Sequence, residues 1–417
     1  MSSGWNLPPM NTKSISDIAV WIDSVQLPQS SSSDLPIGSH AADDKENIRL
    51  GSKRIMQEDV DQTPRPSKPL RDLDSVPQFP PSPTKSGSSV AVSEASEAES
   101  HRSGRLSPVK QLQLLEDFEE HPVVFCNFDD TEEGEEPEDV TAMRTAIQQF
   151  ADGVGILGYN DVDTVLPTLP PIDRIRFKYS WANDVERHYV LGSVPSIPQI
   201  LNIVETARKY DHGSGVSEDE WNSEVQHPLL KLARNTSRHR QTLDIHNVKT
   251  ARIEPASLAR SALPGRVVDY VVALTPDPAI KQAWRSLRLL PGASIKSWDH
   301  TTRARHNPIA INIETKGPMK SWTDGKPQIA IWTDAWMKRI ALIRENDGGQ
   351  WPALPLLIAQ GHDWHLLIVS KTDQKMTIWE QVDIGSTRSC FDAMKRLTVL
   401  HWLMDWVESV WLLSLPG

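Results

Sequence analysis

The sequence predicts an α/β fold, a mixed central sheet flanked by helices and preceded by a long arm that does not pack. Three observations carry that expectation. Only 38% of the 417 residues are hydrophobic, below the roughly 45–50% of an ordinary globular chain, and Pro and Ser crowd the stretch before residue 138. From Glu138 onward, helical and strand-like apolar spacings alternate along the chain, the mixture that builds a sheet with helices on its faces. PIAINIETKG, Pro308 to Gly317, alternates isoleucine with polar side chains over a full strand length.

The arm is expected to span residues 1–137. It holds 12 Lys+Arg against 24 Asp+Glu, so the overall net charge of −11 belongs to it and residues 138–417 are near neutral. Such a polar, acidic stretch cannot offset the entropy of ordering. Thr63, Ser82 and Ser107 each precede a proline, a pattern kinases use in extended tails; the same stretches read equally as a plain linker. Ser14 or Ser16 can cap a helix carrying Ile18, Trp21, Ile22 and Val25 near residues 15–25, spaced as a docking helix for a protein partner. A second short helix is expected from Lys110 to Glu119. No apolar run is long enough to cross a membrane, and no charged patch precedes an apolar core as in a secretory signal. Cys126 and Cys390 are the only cysteines, which excludes a disulfide scaffold or a cysteine-rich zinc site and suits an intracellular, reducing compartment.

A domain is expected over residues 138–417. Helices are predicted at Glu138–Asp152, Asp184–Tyr189 and Ile197–Tyr210. Ser217 with Glu220 forms a capping box opening another helix through Trp221 and Val225, with a break or kink at Pro228. Strands follow at Thr242–Ile253, Arg266–Leu274 and Pro308–Lys316, the last two separated by a helix from Pro278 to Leu289. A further helix should open near Pro327 and run to Arg344. Leu354–Gln360, Trp364–Lys371 and Met376–Asp383 read as strands, and Ser389–Leu412 as a closing helix. The (i, i+4) pairs Trp332/Trp336 and Trp402/Trp406 read as core packing.

In Pro308–Gly317 one strand face carries Ile309, Ile311 and Ile313, and the other Asn312, Glu314 and Lys316. A carboxylate and an ammonium two residues apart suit hydrolysis, one holding a hard cation and the other handling water. Upstream, GRVVDYVVAL sets Asp269 among valines, where a lone buried carboxylate is costly unless paired or bound to metal. Two carboxylates on neighbouring strands suit Mg²⁺. Asp269 and Glu314 are 45 positions apart, the insert including KSWDHTTRARH; its Arg303, Arg305 and His306 read as phosphate contacts or as a solvated turn. His362 and His365, three apart on a strand, should face opposite ways and share no metal.

Asp269 followed by Glu314-Thr315-Lys316 resembles the PD-(D/E)XK nuclease superfamily, with its restriction-endonuclease-like core. WNSEVQHPLL, NVKTARIEP, DGKPQIAIWTDAW, LPLLIAQGHDWHLLIVS and WEQVDIGSTR, with PIAINIETKGP, are similar to fungal PD-(D/E)XK nuclease-like domain proteins over about residues 140–412. The resemblance implies a metal-dependent nuclease acting on nucleic acid, DNA before RNA, with nuclear residence. It implies Mg or Mn held by Asp269, Glu314, the carbonyl of Thr315 and Glu224, with Lys316 positioning the water and Gln328 contacting nucleophile or DNA. The alternative is a nuclease-like scaffold without turnover, which the near-neutral charge of residues 138–417 favours.

Overall fold

The backbone alternation over residues 309–316 makes an interior strand of a seven-stranded sheet. The computed structural model describes residues 106–130, 135–178, 181–182, 187–212, 216–263, 265–287, 297–343 and 351–415. The segment near residues 15–25, Thr63 and Ser82 lie outside them. Strands β1 (Val123–Asn127), β2 (Leu243–Asn247), β3 (Tyr270–Leu274), β4 (Ile309–Lys316), β5 (Leu354–Gln360), β6 (Asp363–Lys371) and β7 (Met376–Ser386) follow one another in the chain. In the sheet their order is β1-β7-β6-β5-β4-β3-β2. The β1–β7 and β4–β5 pairs are parallel and the others antiparallel, so the predicted mixed sheet is present.

Among the described residues, eight helices of at least eight residues accompany it: α1 (Pro108–Glu116), α2 (Glu138–Ala151), α3 (Pro171–Lys178), α4 (Ile197–His212), α5, α6 (Pro278–Leu287), α7 (Lys326–Ile343) and α8 (Cys390–Trp406). α5 runs as Glu218–Trp221, a π-helical turn Asn222–Gln226, and His227–Thr236. Its predicted capping box is made: Ser217 Oγ accepts from Glu220 N at 3.2 Å, and Ser217 N donates to Glu220 Oε2 at 2.8 Å. The break expected at Pro228 takes the form of that π turn just before it. A proline has no N–H to give the preceding turn, and widening the helix there keeps the chain helical.

α7 lies on the face of β4 that carries Asn312 and Glu314, and Trp332 Nε1 donates to Asn312 Oδ1 at 2.8 Å. α5 covers the opposite face, where Tyr270 Oη donates to the Asn222 carbonyl at 3.2 Å, and α8 packs on α5. With helices on both sides, every residue of β4 is buried. The core positions Ile309, Ile311 and Ile313 are fully enclosed, each contributing roughly 1.5–3 kcal/mol of transfer free energy. That setting also puts the polar residues of β4 out of water. Trp332, Trp336 and Trp406 are core residues, as their spacing predicted.

The two strands β3 and β4 pair directly despite the insert between them, whose described residues stay outside the sheet. Its tail packs on α7: His300 meets the Trp332 ring at 4.0 Å, and Asp299 accepts from Trp336 Nε1 and from Ile309 N at 2.8 and 2.9 Å. Complete burial pushes the Asp299 carboxyl up to about 7. Arg303, Arg305 and His306 are exposed.

The arm boundary expected at residue 137 moves toward the N-terminus. Helix α1 places Gln111 and Leu115 in the interior, and β1 buries Val123 beside β7. VVFC is too short for its period to be read, and its pairing partner lies some 250 residues away. β2 and β3 are shorter than predicted, because the chain turns after Asn247 and joins the ladder only at Tyr270. Both cysteines are unpaired, Cys390 in the core. Among the described residues no helix is long and apolar enough to cross a membrane.

Candidate active site

The C-terminal end of β4 delivers Glu314, Thr315 and Lys316, and the start of β3 delivers Asp269. Asp269 immediately precedes β3, its N–H donating to the Ile313 carbonyl at 3.2 Å. Its Oδ2 accepts from both the N–H and the hydroxyl of Thr315, at 2.9 and 2.7 Å. Asp269 is therefore a strand-end residue rather than one inside the valine run, aimed along the edge of β4. Strand pairing thus closes the 45-position gap between it and Glu314.

Glu314 is completely buried. Lys316 Nζ donates to its Oε1 and, at 2.9 Å, to the Thr315 carbonyl. Its Oε2 is buried and has no hydrogen-bond partner among the described residues, an arrangement that costs free energy unless something else supplies positive charge or a proton. Burial, and then the neighbouring Asp269 carboxylate, push the Glu314 carboxyl well above the usual range, against the pull of Lys316. Burial also raises Asp269, although its bonds from Thr315 and the nearby Lys316 and Lys249 oppose the shift. Lys249, on the turn after β2, lies 3.9 Å from Asp269 Oδ1 and also pairs with Asp219.

Space at Glu314 is kept by Gly325, in the 3₁₀ turn that opens α7. A Cβ there would stand 3.1 Å from Glu314 Cγ and 3.2 Å from Ile358 Cγ2. Neither neighbour has slack, since both are fully buried. Gly325→Ala is expected to cost about 1–3 kcal/mol through overpacking and to displace the carboxylate; a lowered denaturation midpoint checks it.

Beside Lys316 opens a cleft of about 440 Å³, lined also by Glu218, Arg266, Lys320, Asp324 and Gln328. Gln328 stands at the start of α7 as the sequence placed it, its Nε2 3.5 Å from the Val267 carbonyl. Glu224 is not part of this cluster. It is exposed on the π turn of α5, and the carboxylate that α5 brings to the site is Glu218, whose Oε2 accepts from Gly317 N at 3.2 Å. Glu218 also contributes to the raised proton affinity of Glu314. The signal for it was the capping box, which puts the first turn of α5, not the second, at the site.

His362 and His365 do not meet. His362 bonds to Thr387 Oγ1 at 2.8 Å, and His365 lies 2.7 Å from Asp383. A larger cavity of about 890 Å³ lies among α3, α4 and the start of α8, and contains none of the predicted site residues. Among the described residues no three His, Cys, Asp or Glu side chains converge as a ready cation cage. What converges is two carboxylates, one with an unsatisfied oxygen, an ammonium and an exposed cleft.

A family model described as the PD-(D/E)XK nuclease superfamily matches residues 169–412, more than half of the chain. No curated protein matches it.

Proposed function

The chain belongs to the PD-(D/E)XK nuclease superfamily, and from that premise we propose that it is a metal-dependent nuclease using Mg²⁺ or Mn²⁺, with Asp269, Glu314 and Lys316 as its working groups. Membership itself points to nuclease-type phosphodiester hydrolysis. The observation that carries the finer reading is the enclosed Glu314 carboxylate, tied to Lys316 through one oxygen and to nothing through the other. Buried carboxylates persist when paired or when they coordinate metal. An orphaned oxygen beside a second carboxylate is a donor set that fits a hard divalent cation.

In this reading Asp269 and Glu314 hold the ion, with the Thr315 carbonyl as a third oxygen and substrate phosphate and water completing the shell. When bound, the cation polarises the phosphate and lowers the pKa of water. Lys316, held by Glu314 and the Thr315 carbonyl, orients the attacking water and takes up or relays its proton. Gln328 donates toward the nucleophile or a phosphate from the floor of the cleft. Glu218 fixes the chain at Gly317, just after the lysine, and so positions Lys316. The substrate is nucleic acid, DNA ahead of RNA.

The test is strand scission of plasmid DNA and of RNA with Mg²⁺ or Mn²⁺, against EDTA. Cutting only with the cation is expected; no cutting of either polymer under any of these conditions sinks the reading and leaves a nuclease-like scaffold. Glu218→Gln is expected to slow cleavage roughly 10–100-fold, the usual cost of losing a supporting partner. Glu224→Gln should leave the rate unchanged.

A further inference from the structure

We propose that Ser107 is a phosphorylation site whose phosphate enters the catalytic cleft and competes with the substrate's own phosphates. Its regulatory consequence rests on the nuclease reading; its placement does not. Ser107 is exposed and extended, with φ −61° and ψ 155°. Pro108 and Lys110 follow at the first and third positions, the pattern of a proline-directed kinase substrate with a basic anchor. The structure adds where this serine stands. Leu106, Ser107, Pro108 and Gln111 line the same cleft as Lys316, Lys320, Arg266 and Gln328.

The segment is held there. Gln111 is 1% exposed; its Oε1 accepts from Arg266 Nη2 at 3.0 Å, and its Nε2 donates to the Leu106 carbonyl at 2.6 Å. Arg260, paired with Asp334 at 2.8 Å, donates to the His121 carbonyl at 2.6 Å just beyond α1. A group added to Ser107 Oγ is thus carried by a packed helix at the rim of the cleft. Lys320 is exposed and forms no ion pair with any described residue. A phosphoserine brings nearly two negative charges and three acceptor oxygens. Lys316, Lys320 and Arg266 are the cations of that lining that it can meet, and Glu218 and Asp324 are the lining carboxylates that oppose it.

The transfer is ordinary phosphoryl chemistry supplied by a kinase and a nucleoside triphosphate. The terminal P–O bond to the leaving diphosphate breaks, a P–Oγ bond forms at Ser107, and the hydroxyl proton leaves with the kinase's base. The result is an anion where the substrate backbone would enter.

The experiment uses the full chain with phosphoserine installed only at position 107, with Ser82→Ala, Thr63→Ala and Thr275→Ala to exclude the other Ser/Thr-Pro sites. The ³¹P resonance is expected to differ between the folded and urea-unfolded chain, and Lys320→Met should move it toward the unfolded value. A folded-state resonance at the unfolded position, unmoved by Lys320→Met, overturns the proposal whether or not the protein cuts nucleic acid. In cleavage assays the phosphorylated chain is expected to show KM raised roughly tenfold or more, with the effect fading as salt screens the charge. An unmodified chain that cuts, alongside a phosphorylated chain with the same KM, overturns the proposal and leaves the nuclease reading standing. An unmodified chain that never cuts defeats the nuclease reading and the competition with it. Finally, a proline-directed kinase should label the Ser82→Ala, Thr63→Ala, Thr275→Ala chain and not the same chain carrying Ser107→Ala; equal labelling overturns the assignment.

Discussion

Lys316→Met and Glu314→Gln are each expected to lower cleavage on the order of 10³-fold and to leave the fold intact. The size follows from what is lost: a preorganised charge in a water-poor site, whose removal commonly costs 10²–10³ in rate. Retention of the fold follows from the raised proton affinity of Glu314. Without Lys316, the carboxyl takes a proton rather than standing as an uncompensated buried charge. Glutamine keeps the volume of Glu314, so the tight contact over Gly325 is not disturbed. Asp269→Asn belongs with this pair, since the amide oxygen still accepts from Thr315 while the charge is gone. Cleavage time courses beside thermal melts decide it. Variants that cut at the wild-type rate would remove these residues from the chemistry, and variants that fail to fold would leave the packing of β4, not catalysis, as their role.

The three groups at the strand ends were legible because each violates its surroundings. Glu314 and Lys316 interrupt an isoleucine alternation, and Asp269 interrupts a valine run, so burial and charge conflict in the sequence itself. Pro327 announces the helix on whose first turn Gln328 sits, while the role given to Gln328 came from the resemblance alone. Glu218 was not legible. The resemblance pointed to Glu224, which stands exposed on the π turn over Asn222–Gln226, a helical widening that Pro228 signals without revealing its form. β1 was hidden for a different reason. Five residues between a proline and an acidic stretch carry no readable period, and they become a strand only because β7 offers them an edge. Local pattern reports what a segment prefers; pairing across the chain is set by the rest of the sheet.

Divalent cation should stabilise the folded chain, increasingly so as the pH rises. A ligand that binds only the native state adds RT ln(1 + [L]/Kd), about 1.4 kcal/mol at ten times Kd and about 2.7 kcal/mol at a hundred times. The pH dependence comes from Glu314, whose carboxyl is pushed well above its usual range by burial and by Asp269. A carboxyl raised in the fold holds its proton more tightly there than in the unfolded chain. Its contribution to stability is therefore fully present below the unfolded carboxyl pKa and is lost as pH rises through the folded value. In the metal-free protein that loss is uncompensated. A cation held by these carboxylates would bind the ionised form and displace the proton, so its stabilising effect should be small where Glu314 is protonated and grow where it is not. Calorimetric melts in Mg²⁺ and in EDTA, at pH 6 and pH 8.5, should show the larger difference at the higher pH. Glu314→Gln should remove both the difference and its pH dependence, Asp269→Asn should reduce it, and Glu224→Gln should leave it whole. A cation effect equal at both pH values, or one that survives Glu314→Gln, would place the ion elsewhere and leave the orphaned oxygen of Glu314 as a feature of packing alone.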